Sequence, residues 1–151
     1  MSNLTTLVDD ALHYRNVGGH GCFKHSQDAV DLLKHGEAAL NEIERATISD
    51  VATRSNPDEL RGFHSVMVTY NKLIDENQLY GRAVDFAKML PPDCLVFLLS
   101  GMYIVFGCGK PTRKLPTTYC DYLIELAADP KNNAVTGIKS SIDQIFANTN
   151  N

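Results

Sequence analysis

The chain has 151 residues, of which 44% are hydrophobic and 21% are charged, and its formal net charge is −4. This length and this composition are typical of one globular domain with a substantial core. The negative charge disfavours general binding to nucleic acid or to an anionic membrane surface.

The first residues and the cysteines bear on the cellular compartment. Residues 1–15, MSNLTTLVDDALHYR, contain neither the basic stretch nor the apolar stretch of a signal peptide. Four cysteines without such a signal are expected to be reduced thiols and not a disulfide framework. We therefore expect a cytoplasmic protein.

Apolar residues recur at helical spacing in the first third of the chain. They predict one helix over residues 3–15 and a second helix that Ser26 can cap. Residues 16–25 lie between them, include three glycines and are expected to form a loop. Gly36 interrupts the second pattern, and the spacing suits either a turn there or one long helix through it. Residues 49–56 are polar, have no pattern and are typical of a linker.

A clear signal for the start of a helix follows this linker. Asn56 can cap a helix whose first turn contains Pro57. The apolar residues that follow alternate in steps of three and four. They are Leu60, Phe63, Met67, Tyr70 and Ile74, and then Leu79, Ala83, Phe86 and Leu90.

The most apolar stretch runs from Cys94 to Phe106 and contains no charge. It is shorter than the roughly 20 apolar residues that a membrane-spanning helix needs. Two buried structures suit it, either one helix that begins at Pro91-Pro92 or a β-hairpin that turns at Ser100-Gly101. The flanking segments offer no partner strands, so a helix is favoured, with Gly107 and Gly109 as a left-handed stop. In this helix Gly101 is expected to permit close approach of a neighbouring helix.

The last part of the chain is again helical in pattern. Residues 107–116 are expected to form a loop, and Asp129-Pro130 is typical of a helix start. The apolar positions of the helices on either side of that start are Tyr119, Tyr122, Leu123 and Leu126, and then Val135, Ile138, Ile142 and Ile145. Residues 148–151 are expected to be a frayed tail.

Every patterned segment indicates helix, and none shows sustained alternation of period two. The predicted fold is all-α, with residues 1–151 forming a single domain. It is either a compact bundle or a short α-solenoid, with six to eight helices around a buried helix at about 92–106.

The passage AVDLLKHGEAALNEIERA, residues 29–46, resembles the helix–turn–helix unit of HEAT-like repeats. The resemblance covers this one unit, and later helices do not repeat it. It implies a curved helical scaffold whose exposed face binds another macromolecule, and it implies no catalytic residues. The positions that carry it are Leu32, Leu33, Gly36, Ala38, Ala39, Leu40 and Ile43.

One glycine-rich loop concentrates side chains that bind metals. His20, Cys22 and His25 offer two imidazoles and a thiol, which are ligands that zinc prefers. Their spacing matches no familiar zinc module, and a closed site needs a fourth ligand from elsewhere. Cys22 with one of these histidines also suggests a thiolate–imidazolium pair. A solvated polar loop explains the same residues without a site.

Other candidate residues have simpler structural explanations. Three cysteines beside apolar runs are expected to pack in the core. They are Cys94, Cys108 and Cys120. A small basic cluster is expected to be a solvated loop, and its members are Lys110, Arg113 and Lys114. His64 lies one position off an apolar stripe and is interpreted as a boundary residue.

These observations predict a non-enzymatic interaction protein, of the adaptor or immunity (inhibitor-like) kind, that binds one protein partner through its helical faces. Its acidic surface favours a basic partner. No nucleic-acid or membrane partner and no cofactor is expected. The alternative is a metal- or thiol-dependent enzyme that uses zinc or the thiol at His20, Cys22 and His25. A third interpretation is a ligand pocket inside the bundle near Met67, Phe86, Met102 and Tyr103.

Overall fold

Helices make up the regular secondary structure in the part of the chain that the computed structural model describes, which is residues 3–13, 27–53, 62–108, 113–133, 135 and 137–149. These ranges contain no strand, so the all-α prediction is confirmed. The helices are α1 (Asn3–Leu12), α2 (residues 27–33), α3 (Glu37–Thr53), α4 (Phe63–Asn77), α5 (Tyr80–Lys88), α6 (Pro92–Gly107), α7 (Thr117–Ala128), α8 (Pro130–Asn133) and α9 (Ile138–Ala147).

The apolar stretch forms the helix α6, and the hairpin alternative is wrong. Pro91 is extended, with ψ of 154°, and its carbonyl accepts hydrogen bonds from the amides of Cys94 and Leu95. Helix α6 packs most extensively against α4 and α9. Its covering is incomplete, because Ile104 is 37% exposed. Among the described residues, no helix has the length and apolarity needed to cross a bilayer.

Gly107 is not the left-handed stop that was expected at the end of α6, and Gly109 lies outside the described residues. Gly107 is the last helical residue, and it does not have a positive φ. Cys108 follows in the right-handed region, with φ of −93°. The ring of Tyr103 lies over Gly107, where an added Cβ would be 2.7 Å from its Cδ1 atom. Gly107 therefore leaves the space that the Tyr103 ring occupies.

Gly101 allows the close crossing of α4 and α6. An added Cβ at Gly101 would lie 2.7 Å from the Met67 carbonyl oxygen and 2.7 Å from the Asn71 Nδ2 atom. Both distances are shorter than carbon contacts allow. The prediction that this glycine permits a neighbouring helix to approach is confirmed.

The chain turns at Gly36, which settles the question of one long helix or two. Gly36 has φ of +58°, a backbone conformation that glycine adopts without strain. The amide of His35 donates to the Leu32 carbonyl at 3.1 Å, and that of Ala39 donates to the Gly36 carbonyl at 3.0 Å. Helices α2 and α3 are therefore separate and joined by this turn.

Helices α4 and α5 carry the predicted apolar stripe, although their ends differ from prediction. Helix α4 begins at Phe63, after Gly62, and not at Pro57. Asn56 and Pro57 lie outside the described residues. Gln78 has φ of 55° and separates α4 from α5, so the continuous pattern spans two helices. The stripe itself is buried at Phe63, Met67, Tyr70, Ile74, Ala83, Phe86 and Leu90.

The C-terminal segment is divided by Gly137. This residue has φ of +99° and precedes α9, which begins at Ile138. At the other end of α9, the Asn148 side chain donates to the Gln144 carbonyl and the Thr149 hydroxyl donates to the Ile145 carbonyl, both at 2.8 Å. The predicted frayed tail therefore does not include Asn148 and Thr149.

The helices share one hydrophobic core that extends from α1 to α9. Its largest fully buried side chains include Tyr70, Tyr119, Phe63, Phe86 and Phe106. The buried residues of the first and the last helix belong to this same cluster.

Candidate functional site

The predicted metal ligands His20, Cys22 and His25 lie outside the described residues. Within the described ranges, no group of three or more His, Cys, Asp or Glu side chains is placed to hold a metal ion. The zinc site and the enzyme that it would serve therefore stay predictions.

The structure describes two of the three residues of the predicted basic cluster. Lys110 is outside the described residues, and Lys114 is exposed. Arg113 instead pairs with a carboxylate of α4, and its guanidinium carbon lies 4.5 Å from the centre of the Phe106 ring. Arg113 therefore anchors its own segment to α4 and α6.

Three cysteines that were expected in the core differ in exposure. Cys94 is buried, as predicted, and burial together with Asp93 raises the pKa of its thiol to about 11. Cys120 is half-buried. Cys108 is exposed, so its prediction was wrong, because α6 emerges from the core at its C-terminal end. The Cys94 thiol stays protonated at neutral pH and is a poor nucleophile.

His64 and Ser100 form a pair that sequence reasoning missed. The His64 Nε2 atom lies 2.8 Å from the Ser100 hydroxyl, which links α4 to α6. Nucleophilic catalysis by serine also needs free N–H groups that stabilise an oxyanion. Ser100 lies in the middle of α6, where the backbone amides of the described residues are engaged in the helix. The pair therefore functions as a hydrogen bond between two helices.

A polar cluster ties α3 to α4 and α5. The Arg82 guanidinium donates to both oxygens of Glu44, from Nε at 2.9 Å and from Nη2 at 2.8 Å. The Tyr70 hydroxyl donates to Glu44 Oε2 at 2.7 Å. We call Tyr70, Glu44 and Arg82 the first Tyr–carboxylate–Arg cluster. Burial and this hydrogen bond raise the pKa of Tyr70.

A second cluster has the same composition. Arg113 donates to both oxygens of Asp75, at 2.8 Å and 3.0 Å, and the Tyr80 hydroxyl donates to Asp75 Oδ1 at 2.7 Å. Hydrogen bonds from Arg113 lower the pKa of Asp75, while burial and the bond to Asp75 raise the pKa of Tyr80 to about 12. We call these residues the second Tyr–carboxylate–Arg cluster.

A groove of about 390 Å³ lies where α5, α6, α7 and α8 meet. We call it the α5–α8 groove. Its floor is apolar, since Leu90, Leu95 and Leu126 are 8%, 4% and 9% exposed. Its residues are Ala87, Lys88, Leu90, Pro92, Leu95, Tyr122, Glu125, Leu126, Asp129 and Asn132.

Polar groups converge on this apolar floor. Tyr122 is 6% exposed, and burial followed by the charge of Glu125 raises its pKa to about 12. Its hydroxyl receives no hydrogen bond from the residues that the structure describes. Asp129 Oδ1 accepts the Lys131 amide at 3.0 Å. A concavity that combines apolar side chains with convergent polar groups is the usual form of a binding site.

The α5–α8 groove was not predicted, and it lies at a different place from the pocket that the sequence suggested. Met67 and Phe86, which were expected to line a pocket, are packed in the core at 0% and 1% exposed. The groove forms between helix ends, where Pro91-Pro92 and Asp129-Pro130 break the chain. These two breaks were the only signal in the sequence, and periodicity cannot show that they meet in space.

Comparisons with protein-family models, with curated proteins and with solved structures found no match to this chain. A proposal about function therefore rests on the sequence and the structure of this chain.

Proposed function

We propose that this protein is a non-enzymatic interaction module that binds a protein partner through the α5–α8 groove. The observation that carries the proposal is an apolar floor beside the Tyr122 side chain and two carboxylates. Residues that contribute most to binding tend to fill such desolvated pockets, with a polar rim around them. An adaptor or an inhibitor-like protein acts in this way.

The size of the groove supports a side chain as its occupant. A volume of about 390 Å³ is near the lower end of small-ligand pockets, which span about 300–1,000 Å³. One or two side chains of a partner fill such a space, and the rest of the interface then lies on the surrounding helices.

An exposed apolar side chain lies beside two groove residues in the sequence. Met89 is 59% exposed and lies between Lys88 and Leu90, which both line the groove. Methionine is flexible and polarisable, and it adapts to partners of different shape. A partner that fills the groove would cover this side chain as well.

The charge of the chain supports a basic partner. The formal net charge of −4 attracts a positively charged protein before contact, and Glu125 and Asp129 place two carboxylates at the groove. Charge of this kind contributes more to the rate and the selectivity of association than to its final affinity.

The α2–α3 pair also enters the proposal as a HEAT-like unit. It turns at Gly36, and the resembling positions Leu32, Ala39, Leu40 and Ile43 face the core. A unit of this kind would present a curved helical surface to a partner. Residence in the cytoplasm is part of the same proposal and is supported by the reduced-thiol argument from the sequence.

The test is affinity capture of the tagged chain from a lysate of its source, followed by mass spectrometry. We expect one partner near stoichiometric amount with the wild type and a clear loss with Glu125→Arg. The matched control is Asp121→Arg, because Asp121 is an exposed carboxylate on the same helix that does not line the groove. Equal capture by both variants would place the interaction elsewhere, and capture of nothing above background would contradict a stable partner.

A further inference from the structure

The two Tyr–carboxylate–Arg clusters show how this protein satisfies a half-buried carboxylate. Glu44 and Asp75 are 19% and 20% exposed, and each binds one guanidinium through both oxygens and one tyrosine hydroxyl. Planar guanidinium matches the two oxygens of a carboxylate, which an ammonium group cannot do. The hydroxyl supplies a further hydrogen bond to the same carboxylate.

The lining of the α5–α8 groove includes a tyrosine and two carboxylates, residue types that the two clusters also contain, but no arginine. Tyr122 and Glu125 are three residues apart on one face of α7, and Asp129, the extended residue that follows this helix, lines the same groove. Neither carboxylate forms an ion pair with an arginine of the described residues.

Lys88 is the cationic side chain in the lining of the groove, and it does not take the place of the missing arginine. No ion pair within 4.0 Å joins Lys88 to Glu125 or to Asp129 in the described part of the chain. The groove thus contains two carboxylates, one unpaired lysine and an apolar floor. Its charge is complementary to one further cation that arrives with an apolar stem.

We propose that the α5–α8 groove receives an arginine side chain of the protein partner, an inference that rests on the proposed function. The aliphatic stem of the arginine lies along Leu95 and Leu126, and the guanidinium donates to Glu125 and to the Tyr122 hydroxyl oxygen. Asp129 provides a second negative charge beside it. An apolar residue next to the arginine fills the remaining floor.

Arginine fits this site better than lysine for two physical reasons. Its guanidinium is less strongly hydrated, so its transfer to a half-buried groove costs less. It also stacks on aromatic rings, as Arg113 does over Phe106 in this same chain. Tyr122 offers the corresponding ring in the groove.

The experiment selects binders from a displayed library of random dodecapeptides on the full-length chain, with counter-selection on Glu125→Arg. We expect the enriched peptides to share one arginine beside an apolar residue. For one enriched peptide, fluorescence anisotropy then compares arginine with lysine and with citrulline, which has the same shape without the charge. We expect citrulline to weaken binding about tenfold, and lysine by less.

Matched variants of the protein test the residues. Glu125→Gln is expected to weaken the arginine peptide about tenfold, whereas Asp121→Asn on the same helix leaves its affinity within about twofold. Lys88→Gln is expected to strengthen binding about twofold, because it removes a like charge. Far-UV circular dichroism confirms that each variant keeps its helix content.

The outcomes separate the arginine from the binding function. Peptides that need the groove but share no arginine would overturn this inference and leave the proposed function standing. Arginine peptides that bind Glu125→Gln as well as the wild type would overturn the inference in the same way. A library that yields no binder sensitive to Glu125→Arg would overturn both.

Discussion

Buried polar atoms set strict limits on the side chains around them. The amide nitrogen of Asn71, which is 1% exposed, donates to the Met67 carbonyl at 2.8 Å and to the Leu98 carbonyl at 3.2 Å. One side chain therefore joins α4 to the backbone of α6 at their crossing. Its neighbour Gly101 has no space for a methyl group, so this crossing depends on single atoms.

Gly101→Ala is expected to lower the free energy of unfolding by up to about 2 kcal/mol. The added Cβ would press on the Met67 carbonyl, and overpacking of about 1–3 kcal/mol outweighs a gain in helix propensity of about 1 kcal/mol. Urea unfolding followed by circular dichroism measures the change. Gly81→Ala is the control, because nothing lies within 4 Å of its added Cβ, and it is expected to be neutral or slightly stabilising. Equal effects at both positions would contradict the close crossing.

Tyr119→Phe is expected to leave the stability unchanged or to raise it by about 1 kcal/mol. The Tyr119 hydroxyl is fully buried without a hydrogen-bond partner among the described residues, so its removal ends a desolvation cost. Tyr70→Phe is the matched comparison, because that hydroxyl donates to Glu44 at 2.7 Å. It is expected to lose about 1–2 kcal/mol. Thermal and urea unfolding of the two variants give the comparison, and a large loss in Tyr119→Phe would show that its hydroxyl is bound.

At the scale of the elements, arginines attach segments that periodicity leaves unconnected. Arg82 on α5 holds Glu44 on α3, and Arg113, which precedes α7, holds Asp75 on α4. Each arginine joins parts of the chain that are far apart in sequence. The amphipathic stripes decide which face of a helix is buried, and these ion pairs help to decide which helix lies beside which.

The stability is expected to depend on pH below about 4 through Asp75. Arg113 lowers the pKa of Asp75 in the folded state, so the unfolded chain binds its proton first as the pH falls. The contribution is therefore complete above the unfolded pKa of about 3.9 and is lost as the pH falls through the lower folded value. Urea unfolding between pH 6 and pH 2.5 measures it.

Arg113→Gln is expected to flatten that pH dependence and to lower the stability at pH 6. The control is Arg45→Gln, because Arg45 pairs with Glu42 three residues away on one exposed helix face. Such a pair contributes about 0.5 kcal/mol or less. Parallel curves of stability against pH for wild type and Arg113→Gln would contradict the lowering of the Asp75 pKa by this arginine.

For the whole molecule, one core joins the first helix to the last. Leu4 and Ile145 belong to the same buried cluster, and α6 lies within it between α4 and α9. Because the buried groups of each helix contact those of others, the loss of one helix exposes the apolar faces of its neighbours. The α5–α8 groove is built at the margin of this core, and its floor is part of the same packing.

The full chain is expected to unfold in one cooperative transition. Urea unfolding measured by far-UV circular dichroism reports helix content, and tyrosine fluorescence reports the packing of residues such as Tyr70 and Tyr119. The two curves are expected to coincide, as they do for a single cooperative domain. Two separated midpoints would contradict the prediction that residues 1–151 form one domain.

The sequence by itself determined the helical class and the central helix, because both follow from local chemistry. Periodicity of apolar residues identifies buried faces, and Pro91-Pro92 identifies the start of α6. The buried stripe from Phe63 to Ile74 was predictable for the same reason. The role of Gly107 was not predictable, because this glycine leaves space for the neighbouring Tyr103 ring.

Only the tertiary structure decided which distant residues meet. The hydrogen bond of His64 to Ser100, the ion pair of Arg113 with Asp75 and the α5–α8 groove all join residues from different helices. Their positions follow from packing angles and helix ends, and one-dimensional spacing contains no information about either. Local propensity therefore decides the elements of this protein, and the three-dimensional packing of those elements decides which distant residues lie together.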